Sequence, residues 1–122
     1  MVRTPNGGKN EIVCDLLTTT RKKLSNLIPN VDAIVHLAAR LADQSMKAPA
    51  ADVRTNAFGA MQIFEWAATH DVKRVVFTSS SAVYGHPPET PIKETDPVRA
   101  ETIYAACKLA CESFLRMLGD PV

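Results

Sequence analysis

No apolar stretch in the 122 residues approaches the roughly 20 needed to span a bilayer. Met1-Val-Arg-Thr-Pro5 also lacks the apolar segment of a secretion signal. The expectation is a cytoplasmic protein with no membrane partner. An excess of either charge is missing too: 14 Lys and Arg against 13 Asp and Glu leave a net charge of +1, which offers no electrostatic ground for binding nucleic acid. Lys9, Arg21, Lys22 and Lys23 form the one basic cluster and read as the solvated start of a helix. Cysteine is sparse and odd in number. Cys14, Cys107 and Cys111 include no CxxC pair, and no His or carboxylate stands at zinc-finger spacing beside them, so buried thiols are expected and no metal site. Internal repeats are absent. Gly7-Gly8 has no strand before it and no GxGxxG spacing after it, so Met1–Asn10 reads as a loop.

An apolar share of 46% with 22% charged residues is ordinary for a folded chain. The length allows one domain, residues 1–122, with a modest core. Glu11-Ile-Val-Cys-Asp15 is a short apolar run that predicts a strand. Thr18–Ile28 predicts a helix with Leu17, Leu24 and Leu27/Ile28 on one face, stopped by Pro29-Asn30. Val31–Ala39 predicts a second strand, and its near-continuous apolar run suits a parallel strand covered on both faces. His36 sits mid-strand as a packed core histidine. After a loop over Ala42–Ala51, the residues Val53, Ala57, Ala60, Phe64 and Ala67 mark one face of a helix over Asp52–Thr69, with Trp66 as packing. Asn56 is a weak helix former near its start and calls for a reason such as a side-chain hydrogen bond. A third strand follows at Val75–Thr78. A proline-rich loop then leads to a last helix over Glu101–Leu118, with Ile103, Cys107, Ala110, Phe114 and Leu118 toward a core. Strands alternating with helices predict a parallel α/β sheet, in which ligands gather at the carboxyl ends of the strands.

Two stretches carry chemistry. Arg74-Val-Val-Phe-Thr-Ser-Ser-Ser-Ala-Val-Tyr-Gly85 is a buried strand ending in hydroxyls, and Tyr104-Ala-Ala-Cys-Lys108 puts a phenol and an ammonium on one helix face. A free phenol, with a pKa near ~10, is a poor base at neutral pH, but a nearby ammonium favours its ionised form. A Ser hydroxyl at the strand end can hydrogen-bond the same substrate oxygen. The trio suits proton transfer at a sugar hydroxyl while hydride leaves the same carbon.

Taken with Cys14-Asp15-Leu16, Asp32-Ala-Ile-Val-His-Leu-Ala-Ala39 and Asn56-Ala-Phe-Gly59, these stretches resemble the NAD-dependent epimerase/dehydratase branch of the extended short-chain dehydrogenase/reductase superfamily. The resemblance implies a partial Rossmann-type, doubly wound parallel sheet with three strands and three main helices. It implies NAD as the cofactor, with NADP left open, and a nucleotide sugar as the substrate, nearest to UDP-glucose 4-epimerases. It assigns Tyr104 as the catalytic base, and Lys108 as the group that lowers the Tyr104 pKa and holds the nicotinamide ribose. Ser80 is the catalytic hydroxyl, flanked by Ser79 and Ser81. Ser80, Ser81 and Tyr104 face the substrate. Asp15 and Leu16 match the adenine contacts, Leu37, Ala38 and Ala39 the backbone under the cofactor, Asn56 the buried residue behind it, and Thr78 a further cofactor contact. Ser81 and Ala82 stand where the 4,6-dehydratases of the family carry Asp-Glu, which favours epimerase or reductase chemistry. The complete family forms homodimers.

The family's first two strands and glycine-rich turn would precede Glu11, and its substrate-binding segment would follow Val122. The expectation is therefore a fragment with weak cofactor affinity and marginal stability, whose Ile12 strand lacks its usual neighbours. An inactive remnant that binds nucleotide or protein is the alternative, and a subunit completed by another chain through exposed strand edges is a third reading.

Overall fold

The computed structural model describes residues 12–28, 30–42 and 46–119. The expected loop at Met1–Asn10, the stop at Pro29 and the closing Asp120-Pro121 lie outside the described residues. Two short strands, β1 (Ala33–His36) and β2 (Arg74–Phe77), run parallel, with Ala33 opposite Arg74 and His36 opposite Phe77. Backbone bonding extends the pair at both ends. Lys73 and Arg74 amides donate to the Asp32 carbonyl at 3.0 and 3.2 Å, and the Thr78 amide donates to the His36 carbonyl at 3.3 Å.

Among the described residues, the strand expected at Glu11–Asp15 does not form. Glu11 lies outside the described residues, Ile12–Cys14 join no ladder, and Asp15 opens a turn instead. Its carboxylate accepts the Leu17 amide at 2.9 Å, and its carbonyl accepts the amides of Thr18 (3.2 Å) and Thr19 (2.9 Å). Asp favours such local bonding over a ladder, and with no neighbouring strand among the described residues Ile12 and Val13 stay half exposed. Among the described residues the sheet has two strands, where three were expected. The second correction concerns coverage. Side chains alternate across a strand, so Ile34, His36, Val75 and Phe77 turn to the helical layer while Val35 and Val76 on the other face remain exposed.

Helix α1 (Arg21–Leu27) is shorter than expected because Thr20 caps it: the Thr20 hydroxyl accepts the Lys23 amide at 3.3 Å. The next helical stretch starts earlier than its apolar pattern, at a proline suited to a first helical position. It runs as α2 (Pro49–Asp52), a π-helical segment (Val53–Phe58) and α3 (Gly59–Ala68). Helix α4 (Ile103–Gly119) begins after Thr102, whose hydroxyl accepts the Ala105 amide at 3.1 Å. The core joins Leu24, Ala60, Ile63, Phe64, Trp66 and Cys111, with Ile34, Val75, Phe77 and Phe114 packed against them. Of the residues expected to face it, Ala60, Phe64, Ala67 and Cys107 are buried, whereas Val53, Ile103 and Leu118 are exposed. Val53 opens the wider π turn, which shifts the helical phase. Ile103 and Leu118 sit at the two ends of α4, where Leu118 borders an open groove beside Val75 of β2.

Helix α1 is held to α3 by the Arg21–Glu65 ion pair at 3.2 Å and by a polar cluster. The Trp66 indole donates to the Ser25 hydroxyl at 3.0 Å, and Ser25 Oγ lies 2.8 Å from His70 Nε2. His70 Nδ1 donates to the Trp66 carbonyl at 2.8 Å, and the two rings stack at 4.3 Å. Trp66 is thus packing, as expected, but His70 also has a task. Among the described residues no helix is long and apolar enough to cross a membrane.

Candidate active site

Past β2 the chain turns through a 3₁₀ segment (Ser81–Tyr84) whose N-cap is Ser80. The Ser80 hydroxyl accepts the Ala82 amide at 3.2 Å and its carbonyl accepts the Val83 amide at 3.1 Å. With the oxygen committed as an acceptor, the hydroxyl proton remains available to a group outside the turn. Gly85 follows at φ +63°. A Cβ there would lie 2.5 Å from the Arg99 carbonyl oxygen, so glycine is required. The returning loop is fastened at the same place by the Arg99 amide, which donates to the Val83 carbonyl at 2.8 Å.

Helix α4 brings Lys108 to the same strand end. Lys108 is 3% exposed, and its ammonium donates to the Thr78 carbonyl at 2.7 Å and sits 4.6 Å from the Phe77 ring centroid and 5.8 Å from that of Tyr104. Burial holds the Lys108 pKa below the usual lysine value, opposed by the charge of Cys111. Behind it, burial first and the Lys108 charge second pull His36 down to about 4, so the imidazole is neutral at pH 7. His36 stacks on Phe77 at 6.0 Å and meets Phe64 edge-on at 5.8 Å, while its Nε2 is buried with no hydrogen-bond partner among the described residues. It is the packed histidine that its place in the strand predicts. Burial pushes the Cys111 thiol up to about 11, and Cys111 donates to the Asn56 carbonyl at 3.2 Å. Such a thiol is structural and unreactive.

The end of β1 is built differently. Asn56, 3% exposed within the π segment, accepts the Arg40 amide at 2.7 Å through Oδ1. Its Nδ2 donates to the Arg40 carbonyl at 3.1 Å and to Asp52 Oδ1 at 3.0 Å. This is the reason sought for an Asn in a helix. The amide clamps the backbone that follows Leu37, Ala38 and Ala39, and π turns are frequent where side chains are aimed at function. Leu37 and Ala38 are exposed, so their backbone is open to a ligand. Beside them Cys14, Asp15, Leu16, Leu17, Ala38 and Thr55 line a groove of about 240 Å³.

The sequence-predicted residues therefore fall into two groups. Lys108 joins the Thr78 carbonyl and the Tyr104 ring at the end of β2, while Ser80 and Ser81, just beyond, line a neighbouring cavity that neither Tyr104 nor Lys108 borders. Asp15, Leu16, Leu37, Ala38, Ala39 and Asn56 gather around the end of β1. One polar residue was missed. Glu112 accepts a hydrogen bond from Ser79 and, with Ser79, Ser80, Ser81, Tyr84 and Lys93, lines a cavity of about 520 Å³. No carboxylate is encoded at Ser81 or Ala82, but the fold supplies one next to them. Its signal was its spacing, one helical turn after Lys108 on the Tyr104–Lys108 face.

A parallel β–α–β unit with polar groups at both strand ends defines a Rossmann-type α/β nucleotide-binding class. Within that class the chain belongs to the NAD dependent epimerase/dehydratase family, whose model matches residues 2–120. It is 40% identical over 89 residues to a UDP-glucose 4-epimerase of Streptococcus mutans, a match covering 72% of this chain and 27% of that protein. Among solved structures it resembles a UDP-N-acetylglucosamine 4-epimerase from Methanobrevibacter ruminantium M1, solved with UDP-N-acetylmuramic acid. There the identity is 32% and the TM-score 0.75, covering 84% of this chain and 33% of that one. It also resembles a UDP-glucose 4-epimerase from Bifidobacterium longum, solved with NAD+ and UDP, at 27% identity and TM-score 0.77, covering 86% and 32%. The chain spans about a quarter of the length of the curated relatives it matches.

Proposed function

We propose that the chain supplies the proton-transfer groups and part of the cofactor surface of an NAD-dependent nucleotide-sugar 4-epimerase of the UDP-glucose type. The observation that carries this is the buried Lys108 ammonium, fastened to the Thr78 carbonyl beside the Tyr104 ring at a strand end rich in hydroxyls. The residues present fit NAD. The groove at Asp15, Leu16 and Ala38 opens beside the Leu37–Ala39 backbone that Asn56 holds in place, and Lys108 has donors beyond the one given to Thr78. Asp15, Leu16, Leu37, Ala38, Ala39, Asn56, Thr78, Tyr104 and Lys108 would hold it.

NAD, when bound, supplies the hydride acceptor for the sugar carbon. Tyr104 takes the proton of the hydroxyl on that carbon and returns it after the sugar turns over. Lys108 stabilises the negative charge on the phenolate oxygen, and Ser80, whose oxygen already accepts Ala82, donates a hydrogen bond to the substrate oxygen and orients it. Ser81 borders the substrate. Calorimetric titration of the purified protein with NAD, beside UDP-glucose/UDP-galactose interconversion by wild type and Tyr104→Phe, tests the reading. Saturable binding and turnover that Tyr104→Phe abolishes support it. Absence of heat up to millimolar NAD, or equal turnover in the variant, overturns it.

A further inference from the structure

Helix α4 grips the end of β2 at two consecutive residues. Lys108 binds the carbonyl of Thr78, and one turn later Glu112 accepts the hydroxyl of Ser79. Among the described residues, the next one, Ser80, has no partner on α4 and bonds within its own turn, to Ala82 and Val83. The orientation of Ser80 is therefore inherited from its predecessors. Its backbone is extended (φ −154°, ψ 146°), so a rotation at Ser79 would swing its hydroxyl across the cavity that Glu112 also lines. Thr78 is held by its backbone and also bonds to β1 through its amide. Ser79 lies beyond the ladder, and its side-chain bond to Glu112 is its tether to the helix.

We infer that Glu112 is a positioning residue, which fixes Ser79 and through it the direction of the Ser80 hydroxyl. The inference rests on the epimerase reading above for its kinetic consequence and on the Ser79–Glu112 bond for its structural one. Neither Ser79 nor Glu112 is assigned a contact with substrate. Loss of the tether should therefore lower kcat and leave KM for the nucleotide sugar nearly unchanged, since an interaction realised in the transition state is lost.

The test measures residue-level amide hydrogen exchange at Ala82 and Val83 together with epimerisation kinetics, in wild type, Glu112→Ala, Glu112→Gln, Ser79→Ala and the double alanine variant. The expectation is exchange about tenfold faster at both amides in each single alanine variant, the scale of one lost charge-assisted hydrogen bond. The double variant should add nothing further, because both changes remove the same bond. Glu112→Gln keeps an acceptor oxygen and should stay within about twofold of wild type. kcat should follow the same order, with KM within about twofold. Exchange that is unchanged at Ala82 and Val83 overturns the inference, as does exchange that rises equally along β1 and α4. Faster exchange with undiminished kcat in an active protein overturns it as well. A wild-type protein that binds NAD but interconverts no sugar removes the proposed function, while the exchange pattern still decides the role of Glu112.

Discussion

The two strand ends offer opposite materials to a ligand. After β1 the chain presents backbone: Leu37 and Ala38 are exposed, and a neutral amide, Asn56, pins the following residue by both its N–H and its C=O. After β2 it presents side chains, and the pins are charged groups from α4, Lys108 and Glu112. The difference fits the task proposed for each end. A surface that a cofactor lies across needs a fixed backbone with little bulk, which an amide supplies without adding a field. A site that moves protons needs charge close to oxygen, and a buried ammonium supplies it in surroundings that weaken screening. Under the proposed function, the π segment and the α-helix divide these tasks between them.

The largest expected break in this comparison is at the charged end. Tyr104→Phe removes the proposed proton acceptor and should lower kcat by about a thousandfold, with far-ultraviolet dichroism unchanged. The neutral end should fail by unfolding instead. Asn56→Ala strips the partners from the Arg40 backbone and from one bond to Asp52, and should cost about 3 kcal/mol in denaturant unfolding. His36 lies beneath both ends and sharpens the contrast through pH. Its folded pKa is depressed to about 4 against about 6.5 unfolded, so the unfolded chain takes up the proton first as pH falls. The stability it contributes is full above about pH 6.5 and is lost progressively toward pH 4, on the order of 2–3 kcal/mol. Urea melts across pH 4.5–7 should show this slope in wild type and a flatter one in His36→Leu. The smallest effect is expected away from both ends. Ser25→Ala removes the link from α1 to Trp66 and His70 and should cost about 1 kcal/mol, with cofactor affinity unaffected.

Legibility from sequence divided along the same line. Tyr104 and Lys108 were readable because their relation is local, one helical turn, and local spacing survives folding. Asn56 announced itself as a misfit in a helix, although the π turn that houses it and the Arg40 backbone it holds are set by packing. Glu112 was overlooked because its partner Ser79 is 33 residues away and no short-range rule couples them. Ile12–Asp15 misled in the other direction. Apolar composition signals a strand, but a strand exists only through a neighbour, and Asp15 had a turn within its own reach. The coverage of β1 was misjudged for a related reason, since a continuous apolar run does not say what lies on each face.

Gly85 sets the thickness of the whole arrangement. The Arg99 carbonyl stands where a side chain on residue 85 would begin, so the strand carrying Ser80 and the loop leading into Tyr104 are laid one upon the other with nothing between. The gap between the segments carrying Ser80 and Tyr104 is thereby measured out in bare main chain. A single methyl group at this point would act as a shim, lifting the entrance of α4 and moving Tyr104 away from Ser80 without touching either of them.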